Sequence, residues 1–434
     1  MCCWNSIFRM IRPRHSSFIQ VANDIPAMAF VSDVPVANRL VNDDVQIIDI
    51  PSVEVHDVET EQGGRAKCLK HLIKQNHANY SVLYHNLQFD NHTPHILSSA
   101  YLLGATEKQL HRLYEVESRG MAPWRDPPAE VTDRNWRDLL GQKEYQKGYL
   151  DYFEHLLASE FSHDWEKVVE HVMFKGEKPL ISGVIGGLGH PLIHLGYAYE
   201  MNSKDIAMEA VTLTAVQYNY LHKYFDDKKY TTPPAWQSNS PLEILHRVTQ
   251  DKRFDALFQR PALSNIDRLF EKHEALVLEY WNAWDLTDPV EQFEKSQEAA
   301  VALLVSTVKP SSHAYSFFIV HLLTTSHAVR ILLPRVPAKF HIPLVRSWWL
   351  LTLAGYIAHL RPTIDPGNVD GDLKGRTWTW VEDQALNSAY ATDAHYVKAL
   401  RAMKEAARTW GDEHEQYLAA AVTFASNFRG WVFT

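Results

Sequence analysis

"TDAHYVKALRAMKEA", residues 392–406, is the stretch from which the fold can be read. Thr392 and Asp393 are helix-start residues, and behind them His395, Lys398, Ala399, Ala402 and Ala406 recur at the three- and four-residue spacing of one helix face. A helix here sets an imidazole and an amine side by side on a strip otherwise lined by alanine. Small neighbours leave room, so such a strip can face a site as well as a core. The bland reading of Lys398 is a solvated helix lysine, and spacing alone favours it.

Working outward, helical spacing holds from "GGRAKCLKHLIKQNHANY" (63–80) to the C-terminus, with start signals at Pro94, at Thr106 with Gln109, at Ser162 with Asp164, and at Pro191. Segments rich in Pro, Gly, Asp and Ser break the pattern at 123–133, 226–243 and 359–375, and read as loops within one unit. The prediction is an all-α protein with a single large multi-helix domain over 63–434. Residues 1–62 differ: "VQIIDIPSVEVHDVE" (45–59) alternates with a period of two and predicts a short strand or extended arm. The basic opening "MCCWNSIFRMIRPRHSSF" reads as a solvated tail, the alternative being a transit peptide or a tether acylated at Cys2 and Cys3.

The chain has 434 residues, 46% of them hydrophobic and 22% charged, with a net charge of −9 that argues against a nucleic-acid partner. Cys2, Cys3 and Cys68 supply no disulfide framework, which points to a reducing, cytoplasmic setting. Even the apolar run 316–333 is interrupted by His321, His327 and Arg330, so no transmembrane segment is expected. There is no G-x-G-x-x-G nucleotide fingerprint and no G-x-S-x-G elbow.

With 23 histidines, most must be surface or core residues, and position has to separate them. Four segments leave room beside a histidine. In "NHTPHILSSAYLLGA" (91–105) His95 shares its face with Ser98 and Ser99. In "GGLGHPLIHLGYAYE" (186–200) His190 and His194 stand one turn apart, a spacing by which two imidazoles can bind one metal. In "FFIVHLLTTSHAVR" (317–330) His321 has Thr324, Thr325 and Ala328 at the neighbouring offsets, whereas His327 has Arg330. The fourth is the strip of His395. Several histidines with one oxygen ligand suit a redox-active iron more than a closed structural zinc. Asp393 or Glu200 can supply that oxygen or orient an imidazole, and carbamylation of a buried Lys398 by CO2 is a third source.

In this order and at these separations the four segments resemble the questin oxidase-like family of fungal polyketide pathways, from about residue 70 to about residue 410. The resemblance implies an all-α fold and an oxygenase that cleaves a carbon–carbon bond of an anthraquinone or its hydroquinone. It further implies a mononuclear non-haem Fe(II) held by histidines and a carboxylated lysine, with O2 as co-substrate. Carried onto this chain, the ligands are His95, His190, His194, His321, His395 and Lys398. His92, Asp393, His327 and Arg401 are placed behind them. The implied partners are an aromatic polyketide substrate and a separate reductase drawing on reduced nicotinamide. Two rivals stay open: a zinc hydrolase with a carbamylated lysine, and a non-catalytic helical scaffold.

Overall fold

The computed structural model of the protein describes residues 45–433; Cys2, Cys3 and most of the expected arm lie outside the described residues. Helices of ten residues or more are α1 (Gly64–Asn79), α2 (Thr93–Leu102), α3 (Glu107–Ser118), α4 (Gln146–Ser159), α5 (Gly186–Met201), α6 (Lys204–Val216) and α7 (Pro241–Gln250). They continue as α8 (Asn265–Asn282), α9 (Pro289–Val305), α10 (Ile319–Leu332), α11 (His341–Ala358), α12 (Trp378–Asn387), α13 (Ala394–Trp410) and α14 (Gln416–Asn427). The expected all-α class holds. Among the described residues the one sheet is a two-stranded antiparallel hairpin, Leu83–Tyr84 with Phe89–Asp90, which delivers Asp90 to the start of α2.

The start signals act as the sequence predicts. Thr106 forms a full capping box with Gln109, Pro94 sits in the first turn of α2, and the Asp393 carboxylate accepts the backbone N–H groups of His395 and Tyr396. Ser162 gives way to Asp164, which caps a short helix at Trp165–Val169. At α5 the entry is sharper than a proline start: Gly187, Leu188 and Gly189 are left-handed at φ +53°, +57° and +77° before the regular turns begin. A Cβ on Gly189 would lie 2.4 Å from Thr325 Cγ2, so this bend needs glycine both for its φ and for its contact with α10.

Between 45 and 57 the chain is extended but forms no strand. Ile48 and Ile50 are buried while Ile47 and Asp49 are exposed, so burial alternates over 47–50, but Val45, Gln46, Glu54 and Val55 are all exposed and the period of two does not run through the rest of the stretch. The arm is tied by single bonds instead of a ladder, Ile48 N–H to His341 Nδ1 at 3.1 Å and His56 N–H to the Glu200 carbonyl at 2.8 Å.

Four helices surround the centre: α2 packs on α5 and α13, and α10 packs on α5 and α13. Every residue of α10 is buried, as befits a helix with no polar face. No helix among the described residues is long and apolar enough to cross a membrane.

Candidate metal centre

Each of the four central helices contributes one imidazole to a common point. His92 precedes α2, His190 opens the regular turns of α5, His321 lies in the first turn of α10, and His395 lies in the first turn of α13. One nitrogen from each lies within 4.8 Å of the others, and all four residues are buried. Nε2 of His190 is 2.9 Å from Nε2 of His92, and Nε2 of His321 is 3.2 Å from Nε2 of His395. Nitrogens bound at about 2.1 Å to one metal lie about 3.0 Å apart at right angles and at most about 4.2 Å apart, so the two close pairs suit a shared ion and the 4.8 Å span of the set has to contract slightly around it.

The far sides of two rings fix which nitrogen is bare. His190 donates from Nδ1 to the Gly187 carbonyl at 2.6 Å, and His321 donates from Nδ1 to the Phe317 carbonyl at 2.8 Å. Both therefore present an Nε2 lone pair to the centre, the arrangement that orients metal-binding histidines. The left-handed turn at 187–189 thus has a chemical use. It aims the Gly187 carbonyl back at the first histidine of α5.

Burial, reinforced by the Lys398 charge and by neighbouring rings, holds His92, His95, His321 and His395 well below the ordinary imidazole range, and His190 is lowered too. They are neutral, as ligands must be. Lys398 is 1% exposed, and its Nζ has no hydrogen-bond partner among the described residues. Burial pushes its amine down to about 7, against the pull of Asp393, Asp90 and Glu117. Near neutrality it is thus partly unprotonated and able to add CO2. The two carboxylates considered as oxygen donors are engaged: Asp393 accepts two backbone N–H groups and the Trp431 indole N–H at 2.8 Å, and Glu200 pairs with Arg401. Four neutral, buried imidazoles that could hold one metal ion, with an orphaned amine beside them, make a donor set compatible with a metal cofactor.

The remaining expected residues fall elsewhere. His95 and His194 face each other, Nε2 to Nδ1, at 2.9 Å, and His194 Nε2 lies 2.8 Å from Glu209 Oε2. His92, expected behind the ligands, stands among the four converging rings. His327 accepts from Arg401 at 2.9 Å in a separate buried cluster with Glu200. Sequence reading passed over Asp90, which lies 3.4 Å from His190 Nδ1, and Glu209, His77 and Glu154. Glu209 carried a signal: it is the one acid inside the apolar run "IAMEAVTLTAV" (206–216).

A cavity of about 260 Å³ reaches the centre from one side, with His92 and His190 in its wall. Phe89, Ile185, Leu188, Leu263, Phe317 and Leu351 give it an apolar side, and Asp90, Lys143, Gln217, Asn219 and Asp267 give it a polar one. It lies near the small end of small-molecule sites, which span roughly 300–1,000 Å³. A larger recess of about 680 Å³ between Pro127 and Glu160 has no such buried cluster at its floor and is set aside.

Comparison with known proteins agrees with this picture. The family model described as questin oxidase-like matches residues 89–403, a span that holds all four converging histidines and Lys398. A Baeyer-Villiger monooxygenase of Aspergillus aculeatus is 24% identical over 400 residues, covering 83% of this chain and 82% of its own. A Baeyer-Villiger oxidase of Pestalotiopsis microspora is 22% identical over 363 residues, 78% and 80% of the two chains. A questin oxidase of Aspergillus terreus is 23% identical over 160 residues, 35% of each chain.

Proposed function

The chain belongs to the questin oxidase-like family and is an oxidoreductase, and on that premise we propose a non-haem iron oxygenase that opens a ring of an anthraquinone, or of its reduced hydroquinone, in fungal aromatic polyketide biosynthesis. The observation that carries this reading is the set of four neutral, buried imidazoles within 4.8 Å of one another beside the unpartnered amine of Lys398. His92, His190, His321, His395 and carbamylated Lys398 hold the metal. Bound iron(II) supplies the activation of O2.

The protein's own part is placement and exclusion. The apolar cavity receives a flat aromatic ring against Phe317 and Phe89, and Leu188 and Leu351 keep water from the reacting carbons. Gly187 and Phe317 carbonyls hold two rings in one tautomer. The catalytic unit runs from residue 63 to 434. A separate reductase supplies the hydroquinone, since the chain has no nicotinamide fingerprint.

The test is turnover of reduced anthraquinones by the anaerobically iron-loaded protein under labelled O2. One labelled atom in the product fits a Baeyer-Villiger-type insertion and two fit dioxygenation. Failure of the iron-loaded protein to consume O2 with any reduced anthraquinone overturns the reading.

A further inference from the structure

Past α14 the chain runs "FRGWVF" (428–433) and folds back onto the helices of the metal centre. Phe428 is fully buried against Tyr390, Tyr396 and Phe424, which anchors the segment at its start. Gly430 then turns the chain at φ +112°, a value that residues with a Cβ rarely adopt. Beyond the turn, every hydrogen bond given by Trp431 and Val432 falls on the start of a helix that carries one of the converging histidines.

At α13, the Trp431 indole N–H donates to Asp393 Oδ2 at 2.8 Å, while Oδ1 of the same carboxylate accepts the backbone N–H groups of His395 and Tyr396 at 2.9 and 3.0 Å. The carboxylate is held from both oxygens, and the first turn bearing His395 is held with it. At α10, Val432 pairs with Ser316: its N–H donates to the Tyr315 carbonyl at 2.8 Å, and its carbonyl accepts the Phe317 N–H at 3.1 Å. Phe317 is the residue whose carbonyl accepts from His321 Nδ1, so this pair of bonds fixes the acceptor that aims the ring. Phe433 lays its ring 4.6 Å from that of Phe317, which in turn stands 4.4 Å from the ring of His395 and 5.2 Å from that of His321.

Exposure argues against a purely apolar role. Val432 is 38% exposed and Phe433 71%, so burial of these side chains contributes little. What the segment makes is directional: it ties two helix starts whose histidines bring Nε2 atoms to 3.2 Å from each other. Bonds of this kind, made to the groups behind a ligand ring, decide where the ring points.

We propose that residues 430–433 form a strap that positions His321 and His395 for one divalent metal ion, with Trp431 as the positioning residue at α13 and the Val432 main chain as the tie at α10. That purpose rests on the four histidines binding a metal. The strap makes and breaks no covalent bond; it limits how far two ligands from different helices can swing apart.

Two measurements on the full-length protein test it. In the first, metal-free parent, Trp431→Phe and Gly430→Val proteins are titrated with Co(II), whose visible absorption reports ligand number and geometry. Trp431→Phe keeps a ring and loses the N–H, and Gly430→Val puts a β-branched side chain at φ +112° and denies the segment its path. Co(II) affinity should fall about 10-fold in Trp431→Phe and further in Gly430→Val, with an altered spectrum. Thr106→Ala, which loses only the cap of α3, should bind as the parent does. Affinity and spectrum equal to the parent in both strap variants overturn the strap, and so does an equal loss in Thr106→Ala, which would trace the effect to stability. Should Gly430→Val fail to fold, Trp431→Phe decides. In the second, amide hydrogen exchange over 314–322 and 393–400 of the metal-free proteins should be faster in the strap variants than in the parent, and unchanged exchange overturns it. A parent that binds no Co(II) sinks the metal reading instead, and exchange then decides the strap alone.

Discussion

Two buried polar clusters sit one turn apart on α13 and are built on opposite terms. Arg401 meets the Glu200 carboxylate and donates to His327 at 2.9 Å, so its charge is answered by protein. Lys398, equally buried, meets no carboxylate and no acceptor among the described residues. Its charge is felt by the buried imidazoles around it and drawn only at a distance by Asp393, Asp90 and Glu117. A buried charge costs several kcal/mol unless paired. The Arg401 charge is paired within the chain, although Arg401 Nε, Glu200 Oε2 and His327 Nδ1 have no hydrogen-bond partner among the described residues, and the pair reads as structure. The Lys398 charge is not paired, which makes its cluster the place where something from outside belongs.

The comparison breaks most clearly through metal binding. His190→Ala and His321→Ala should each empty the site and lower turnover by more than the 10- to 100-fold usual for changes around a ligand shell, whereas Arg401→Leu should keep its iron. Elemental analysis of anaerobically loaded protein separates them. Stability should run the other way. Arg401→Leu strands Glu200 and should cost about 3–5 kcal/mol in denaturant unfolding, while the alanine variants at the centre, tested without metal, should cost less.

Lys398→Met sharpens the contrast further. In metal-free, CO2-depleted buffer it should stabilise the fold by about 1–4 kcal/mol at pH 7, because an unpaired buried amine is replaced by an apolar chain of similar length. The pH dependence has a definite sign. Folding lowers the Lys398 pKa from 10.5 to about 7, so between these values the unfolded chain binds the proton that the folded chain has released. Parent stability therefore rises with pH across that window relative to the variant. The advantage of the Lys398→Met protein should be largest at and below pH 7 and fade toward pH 10. An advantage that does not change with pH would mean that the amine is paired in the folded protein.

The smallest effect belongs to neither cluster. Thr106→Ala removes the capping box of α3 and should cost about 1 kcal/mol in thermal unfolding with iron content unaltered.

These outcomes also mark what the sequence could disclose. Helix starts were legible where one side chain caps its own helix, as at Thr106 and Asp393. The strip of His395 and Lys398 was legible because α13 has alanine-lined spacing. On α10 spacing said little, since every residue is buried and no face is favoured. The grouping of the histidines lay beyond spacing altogether. His92 and His95 are three apart, yet one ring meets His190 and the other His194. Likewise His190 and His194, one turn apart on α5, divide between two partners, His92 and His95. The spacing that suits a shared metal serves here to connect a centre to its neighbour.

In the proposed function His92, His190, His321, His395 and Lys398 together hold one iron, with His95 beside them but not bound. Iron stoichiometry of the anaerobically reconstituted parent, His92→Ala, His95→Ala and Lys398→Ala proteins tests it most directly. One iron per chain is expected in the parent and His95→Ala proteins, and none in the other two. Iron retained in His92→Ala and Lys398→Ala, or absent from the parent, would contradict it.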